Sequence, residues 1–332
     1  MRSLAAICGV SLMLITSAYT QAQTQAQTEA QHQGWPAKTV KFVVAAGAGS
    51  STDRHMRILA AHLSKKWGQP VVVENKVGAT SIIGNNFVAK SPPDGYTLLS
   101  TFTALVQTPS LVKNMPYDVE KDLIAVTQTV SAVPLLLVRT ESPYQNMQEF
   151  ITAAKTANPP FSYGTPGKGH TYHVFGETMF KGVGIELTHI PYKSEYDSVN
   201  GLLGGQLTSS FSAIGTVLPF IKANRLRALG RASKTRSKML PNVPSFAELG
   251  IPMPDITGWF GILAPAGTPA AIVRKVSADI REIFALPEMI RFVEVQEGMD
   301  LVASTPEAFA ERIHVELGRW KQLLLGLGIT PE

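Results

Sequence analysis

The chain has 332 residues, more than one hydrophobic core ordinarily holds, so two domain-sized lobes are expected. Hydrophobic residues make up 45% and charged residues 17%, a composition that excludes a disordered chain. The net charge of +5 is scattered rather than gathered into basic runs, which argues for mild attraction of anions and against a nucleic-acid partner.

At the N-terminus Arg2 precedes an apolar run from Leu4 to Ala18, and small-x-Ala sites follow at Thr16-Ser17-Ala18 and Thr20-Gln21-Ala22. This reads as an export signal over residues 1–22, followed by a low-complexity linker over 23–34. The run is shorter than the ~20 residues a bilayer span needs. Cys8, the only cysteine, lies inside it and is expected to leave with it, so the exported protein would carry no disulfide.

Val40-Lys41-Phe42-Val43-Val44 reads as a buried strand, followed by the glycine-containing loop Ala45 to Ser51. A helix begins next, with Ser51 or Thr52 as its cap, Asp53 in its first turn and Met56, Leu59, Ala60 and Leu63 at helical spacing until Gly68. Val71 to Val73 form a second strand, a helix follows near 82–90, and Tyr96 to Leu99 form a third strand after the turn Pro92-Pro93-Asp94-Gly95. The pattern restarts at Phe161 to Tyr163, with a loop from Gly164 to His170 and a helix through Val174, Met179 and Phe180. Strands at Leu187 to Ile190, Leu207 to Phe211 and Leu226 to Leu229 complete a second sheet around a helix across Ser198 to Leu203. Such alternation predicts an α/β protein with two mostly parallel sheets flanked by helices. Pro134 to Val138 and Trp259 to Leu263 are taken as the two crossings that form the hinge. The lobes then comprise 35–133 with the return 259–332, and 134–258. Helices over Pro269 to Phe284 and Pro306 to Leu325 are expected to cover the first lobe.

The chemistry concentrates in two loops. In Gly47-Ala48-Gly49-Ser50-Ser51-Thr52-Asp53 the glycines permit a close turn, and the helix start offers unpaired N–H groups and hydroxyls to an anion. Gly164 to Thr171 occupies the equivalent place in the second unit. Facing each other across a cleft, the two loops would suit a ligand bearing one or two carboxylates. The candidate contacts are Gly49, Ser50, Ser51, Thr52 and Asp53 from the first, and Gly167, Lys168, Gly169, His170 and Thr171 from the second. Tyr192, after a strand, and Ser212 are added as candidate cleft residues, and Trp259 as a candidate wall.

Enzymatic alternatives are weaker. Gly47, Gly49 and Glu74 match part of a dinucleotide fingerprint, but Thr52 stands where its third glycine belongs. G-x-S-x-G and G-x-x-x-x-G-K-[ST] motifs are missing, and His170, His173 and His189 lack the spacing of a metal site. No catalytic residue, metal or cofactor is expected.

The chain resembles the substrate-binding receptors of tripartite tricarboxylate transporters, also called Bug receptors, over nearly its whole exported length. The resemblance rests on Trp35-Pro36, the loop ending in Thr52-Asp53, Gly68 to Asn75, Pro93 to Leu99, Met115 to Asp118 and Pro191 to Lys193. It continues in Leu202 to Gln206, Leu226 to Leu229, Pro241 to Ser245 and Ala264 to Pro269. It implies a type II periplasmic-binding-protein fold that closes over a small organic acid without catalysis, and a membrane permease as partner. The protein is expected to be periplasmic and monomeric; a sensory receptor is the alternative to a transport role. Two departures bear on the ligand. The first loop lacks a proline and a longer glycine run, and Ser212-Ala213 stand where many relatives have an aspartate, which makes an amino-acid ligand less expected. Lys168 and His170 would instead favour additional negative charge on the ligand.

Overall fold

The computed structural model describes residues 34–253 and 256–331. The expected export signal, Cys8 and all but the last residue of the expected linker lie outside them. Among the described residues, no helix is long and apolar enough to cross a membrane.

The first sheet is built around β1 (Val40–Val44), whose β-branched residues are buried on both faces. It pairs in parallel with β2 (Val71–Asn75) and β3 (Thr97–Phe102). The helices between them are α1 (Ser51–Trp67) and α2 (Ile82–Ala89). Helix α1 is capped by the Ser50 hydroxyl, which accepts from the Asp53 amide, and stops at Gly68 with φ of 63°. Inside α2 stands Gly84, whose missing side chain lets the helix lie on the Ala45 backbone; a Cβ there would come within 2.9 Å of Ala45 Cα.

After β3 comes the short helix α3 (Ala104–Gln107), then β4 (Leu123–Ala132), which leads through Val133 straight into β5 (Pro134–Arg139). These two strands belong to different sheets, so the chain changes sheet at Val133. In the second sheet β6 (Ser162–Thr165), β7 (Thr188–Pro191) and β8 (Ser209–Ala213) run in parallel. Their connecting helices are α5 (Thr171–Gly182), preceded in the chain by α4 (Met147–Ala154), and α6 (Glu195–Leu203). Helix α7 (Ile214–Lys222) joins β8 to β9 (Leu226–Arg231), and β5 runs antiparallel between those two strands.

The chain re-enters the first sheet as β10 (Gly258–Pro265), antiparallel between β3 and β4. Helix α8 (Ala270–Phe284), a π turn at Arg291–Gln296, β11 (Asp300–Leu301) and α9 (Pro306–Gly326) complete the chain. The sheet orders are β11-β4-β10-β3-β1-β2 and β7-β6-β8-β5-β9. Parallel pairing is confined to the strand-helix-strand units, while the strands next to each crossing pair antiparallel, so both sheets are mixed. Pro134 to Val138 and Trp259 to Leu263 thus belong to sheet strands; the first passage between sheets falls at Val133 and the second between the end of β9 and the start of β10.

Two further contacts tie the sheets together. Arg231, buried at the end of β9, donates from Nη2 to Asp300 Oδ1 of β11 at 2.6 Å. At the start of α7, Gly215 meets the turn after the π helix so closely that a Cβ would lie 2.5 Å from the Glu297 carbonyl oxygen.

Candidate functional site

A cleft of about 640 Å³ lies between the two sheets and takes its lining from both. Strands β1 and β6 each end in a glycine-containing loop that runs into a helix, so the N-termini of α1 and α5 open on the same space. Each offers unpaired backbone N–H groups and partial positive charge.

From the first loop Gly49, Ser50, Ser51 and Thr52 line the cleft; from the second Lys168, Gly169, His170 and Thr171 do. The loops are held from behind. Buried Asp53 accepts from the Gly49 amide at 2.8 Å, from Arg57 Nε at 2.9 Å and from Asn75 Nδ2 at 2.8 Å. Burial opposes its charge, but these three donors outweigh it and hold the carboxyl below its usual range. Gly49, at φ of 79°, adopts a conformation that favours glycine. In the second loop the Gly169 amide donates to His173 Nδ1 at 3.0 Å, and His173 stacks on His189 with ring centres 3.9 Å apart.

Asp53, Gly167, Tyr192 and Ser212 are not among the lining residues. Gly167 turns the second loop at φ of 121°. Tyr192 lies against Gly201, where a Cβ would collide with its ring, and Ser212 is fully buried with its hydroxyl on Glu195 Oε1. His170 lines the cleft as the N-cap of α5, with Nδ1 accepting from the Tyr172 amide. Desolvation, with His173 adding to it, pushes its pKa down to about 4, so its ring is neutral at pH 7 and adds no positive charge. The Trp259 indole is buried against Phe309 and donates to Glu316 at 2.8 Å, its backbone amide donates to Thr103 Oγ1, and both Trp259 and Thr103 are among the lining residues.

Among the lining residues that sequence reasoning did not single out are Arg54, Glu297, Gln107 and Glu195. Arg54 donates from Nε and Nη2 to both carboxylate oxygens of Glu297, at 3.0 and 2.9 Å, and also to Gly49 O and Ser51 Oγ. Gln107 Nε2 donates to Thr171 Oγ1 at 2.8 Å, a buried hydrogen bond from one lobe to the other. Glu195, half-buried at the first turn of α6, accepts from the Ser212 hydroxyl and from the Ala213 amide at 2.7 Å, which caps α7 from another helix. Burial raises its pKa, against the Ser212, Ala213 and Thr216 hydrogen bonds that favour the carboxylate. Only one local signal existed: Ser194 followed by Glu195 marks a helix start.

Two sheets around a cleft rimmed by helix N-termini define a two-lobed solute-binding fold. Residues 55–329 match the family described as "Tripartite tricarboxylate transporter family receptor". A UPF0065 protein of Bordetella bronchiseptica is 37% identical over 303 residues, covering 90% of this chain and 88% of that protein. Among solved structures, the periplasmic binding protein BugD is similar with a TM-score of 0.73 at 28% identity, covering 90% of this chain and 100% of that one. An R. palustris protein with adipate gives 0.76 at 27% identity, over 90% of this chain and 100% of that one. The chain belongs to the tripartite tricarboxylate transporter receptor family, and it is a solute-binding receptor with the fold of periplasmic binding proteins.

Proposed function

We propose that the exported protein captures a small organic acid in this cleft, with a ligand carboxylate held between the N-termini of α1 and α5, and delivers it to membrane permease subunits. The observation that carries the reading is the convergence of two glycine-loop helix starts, one from each sheet, on one cleft. A carboxylate there receives backbone amides and the hydroxyls of Ser50, Ser51, Thr52 and Thr171 without needing a buried counter-ion. The adipate of the R. palustris relative is a ligand of this chemical class.

Lobe closure couples capture to delivery. A ligand that touches both lobes stabilises the closed arrangement by its differential affinity, and the closed form presents a joint surface to the permease. The protein acts as a periplasmic monomer after removal of residues 1–22, and binds without turnover. Thr52 in place of the third fingerprint glycine speaks against a dinucleotide enzyme.

Calorimetric titration of the protein lacking residues 1–22 against mono-, di- and tricarboxylates and nicotinamide cofactors tests the reading. Saturable binding of a carboxylate, weakened about tenfold or more by Thr171→Val as expected for a lost charge-assisted hydrogen bond, supports it. Binding of a nicotinamide cofactor alone would overturn it.

A further inference from the structure

The charges lining the cleft are balanced rather than positive. Two cations, Arg54 and Lys168, face two carboxylates, Glu195 and Glu297. Arg54 is already engaged: Glu297 takes its Nε and Nη2, and Gly49 O and Ser51 Oγ take its other contacts. Its charge is cancelled within the wall, and Glu297 has only 10% of its side chain exposed. His170 spends a ring nitrogen on the Tyr172 amide. Exposed Lys168 is the one lining cation whose charge no ion pair within the wall cancels.

Glu195 stands on the second lobe's wall, beside Ala213 and Thr216. Ser212 and the Ala213 amide both donate to its Oε1. A carboxylate has about four lone-pair sites, so acceptor capacity remains for a group in the cleft. Its carboxylate sits at the Ser212-Ala213 position of the wall, delivered from α6 rather than from β8. Apart from Glu195 and the two helix starts, the lining includes an apolar set, Phe102, Leu111, Ala132, Tyr172, Phe260 and Met299.

We infer that the cleft selects an organic acid with a single carboxylate, an apolar body and a hydrogen-bond donor at its far end, Glu195 receiving the donor. A second carboxylate on the ligand would meet Glu195, the lining carboxylate that no cation of the wall neutralises, in a partly dry site where like charges repel more strongly than in water. This replaces the expectation, drawn from Lys168 and His170, of extra negative charge on the ligand. The inference rests on the receptor reading above and specifies its ligand class.

The test is a titration of the protein lacking residues 1–22 with two matched series: hexanoate, 6-hydroxyhexanoate and adipate; then benzoate, 4-hydroxybenzoate and terephthalate. The hydroxy acid is expected to bind at least about tenfold more tightly than the dianion in the series that fits, with the plain acid between them. Glu195→Gln is expected to narrow that ratio at least about fivefold by removing the repelling charge. If adipate or terephthalate binds as tightly as its hydroxy partner, or if Glu195→Gln leaves the ratio unchanged, the inference fails while the receptor reading stands. Absence of saturable binding by all six acids also overturns the inference, and the wider carboxylate titration described above then decides the receptor reading. Should Glu195→Gln not fold, the wild-type series decides alone.

Discussion

His55, one turn into α1, offers a stability measurement with a calculable sign. It is 3% exposed, stacked on Phe284 at 5.3 Å and flanked by Phe260 and Phe292, and neither ring nitrogen meets a hydrogen-bond partner among the described residues. Desolvation disfavours its charged form and pushes its pKa down from 6.5 to about 4. The unfolded chain therefore binds a proton below about pH 6.5 that the folded chain refuses until about pH 4, so stability is fully present above that window and lost as pH falls through it. Integrated from pH 7 to pH 5, the loss from this one group is about 2 kcal/mol, or about 30-fold in the folding equilibrium. His55→Phe keeps an aromatic ring in the same aromatic pocket and deletes the titration. Urea unfolding of wild type and variant at both pH values, with unchanged slopes, should show the gap between pH 7 and pH 5 shrinking by that amount. The other depressed histidines, His170, His173 and His189, are present in both proteins and cancel. Parallel pH profiles for the two proteins would refute the argument that the ring is buried neutral.

Two mutations probe the junction of the lobes. A double-mutant cycle on Gln107→Ala and Thr171→Val, read by chemical denaturation, should give a coupling of about 1 kcal/mol for their buried hydrogen bond; additive effects would mean the lobes do not meet there. Gly215→Ala places a Cβ 2.5 Å from the Glu297 carbonyl oxygen and should hold the rim open, costing about 1–3 kcal/mol of stability and at least about tenfold in ligand affinity. Wild-type titration curves for this variant would show that the approach of Gly215 to Glu297 does not shape the closed cleft.

Where local pattern decides the outcome, the sequence is a good guide. Helix α1 follows from Asp53, the apolar stripe and Gly68, all within one segment, although its cap is Ser50 rather than the expected Ser51 or Thr52, both of which lie inside the helix. Strand β8 behaves otherwise. The apolar residues suggest Leu207 to Phe211, yet the strand is Ser209–Ala213, entirely buried. Its serines tolerate burial because neighbours satisfy them: Ser210 meets Ser198 Oγ at 2.7 Å and Ser209 donates to Ser162 O. Those partners come from other elements, so hydropathy along the strand cannot register them. The same holds for β4, whose buried Thr127 and Thr129 are bonded to Ser304 O and Phe260 O.

The cleft divides along the same line. The part proposed to hold the anion is made of continuous loops that line the cleft, Gly49 to Thr52 and Lys168 to Thr171, and continuity made it readable. Its discriminating part is assembled from Arg54, Gln107, Glu195 and Glu297, which no segment shorter than two hundred residues contains together. Arg54 looks like a ligand-binding cation until Glu297 is placed opposite it, and Ser212-Ala213 look like a lost carboxylate until Glu195 arrives from α6. A motif that grips the common part of all ligands is therefore local and repeated, once per lobe. The charge balance that separates one acid from another depends on which distant side chains the fold brings together, and an exchange at Glu195 would change ligand preference while leaving both loops, and the family resemblance, untouched.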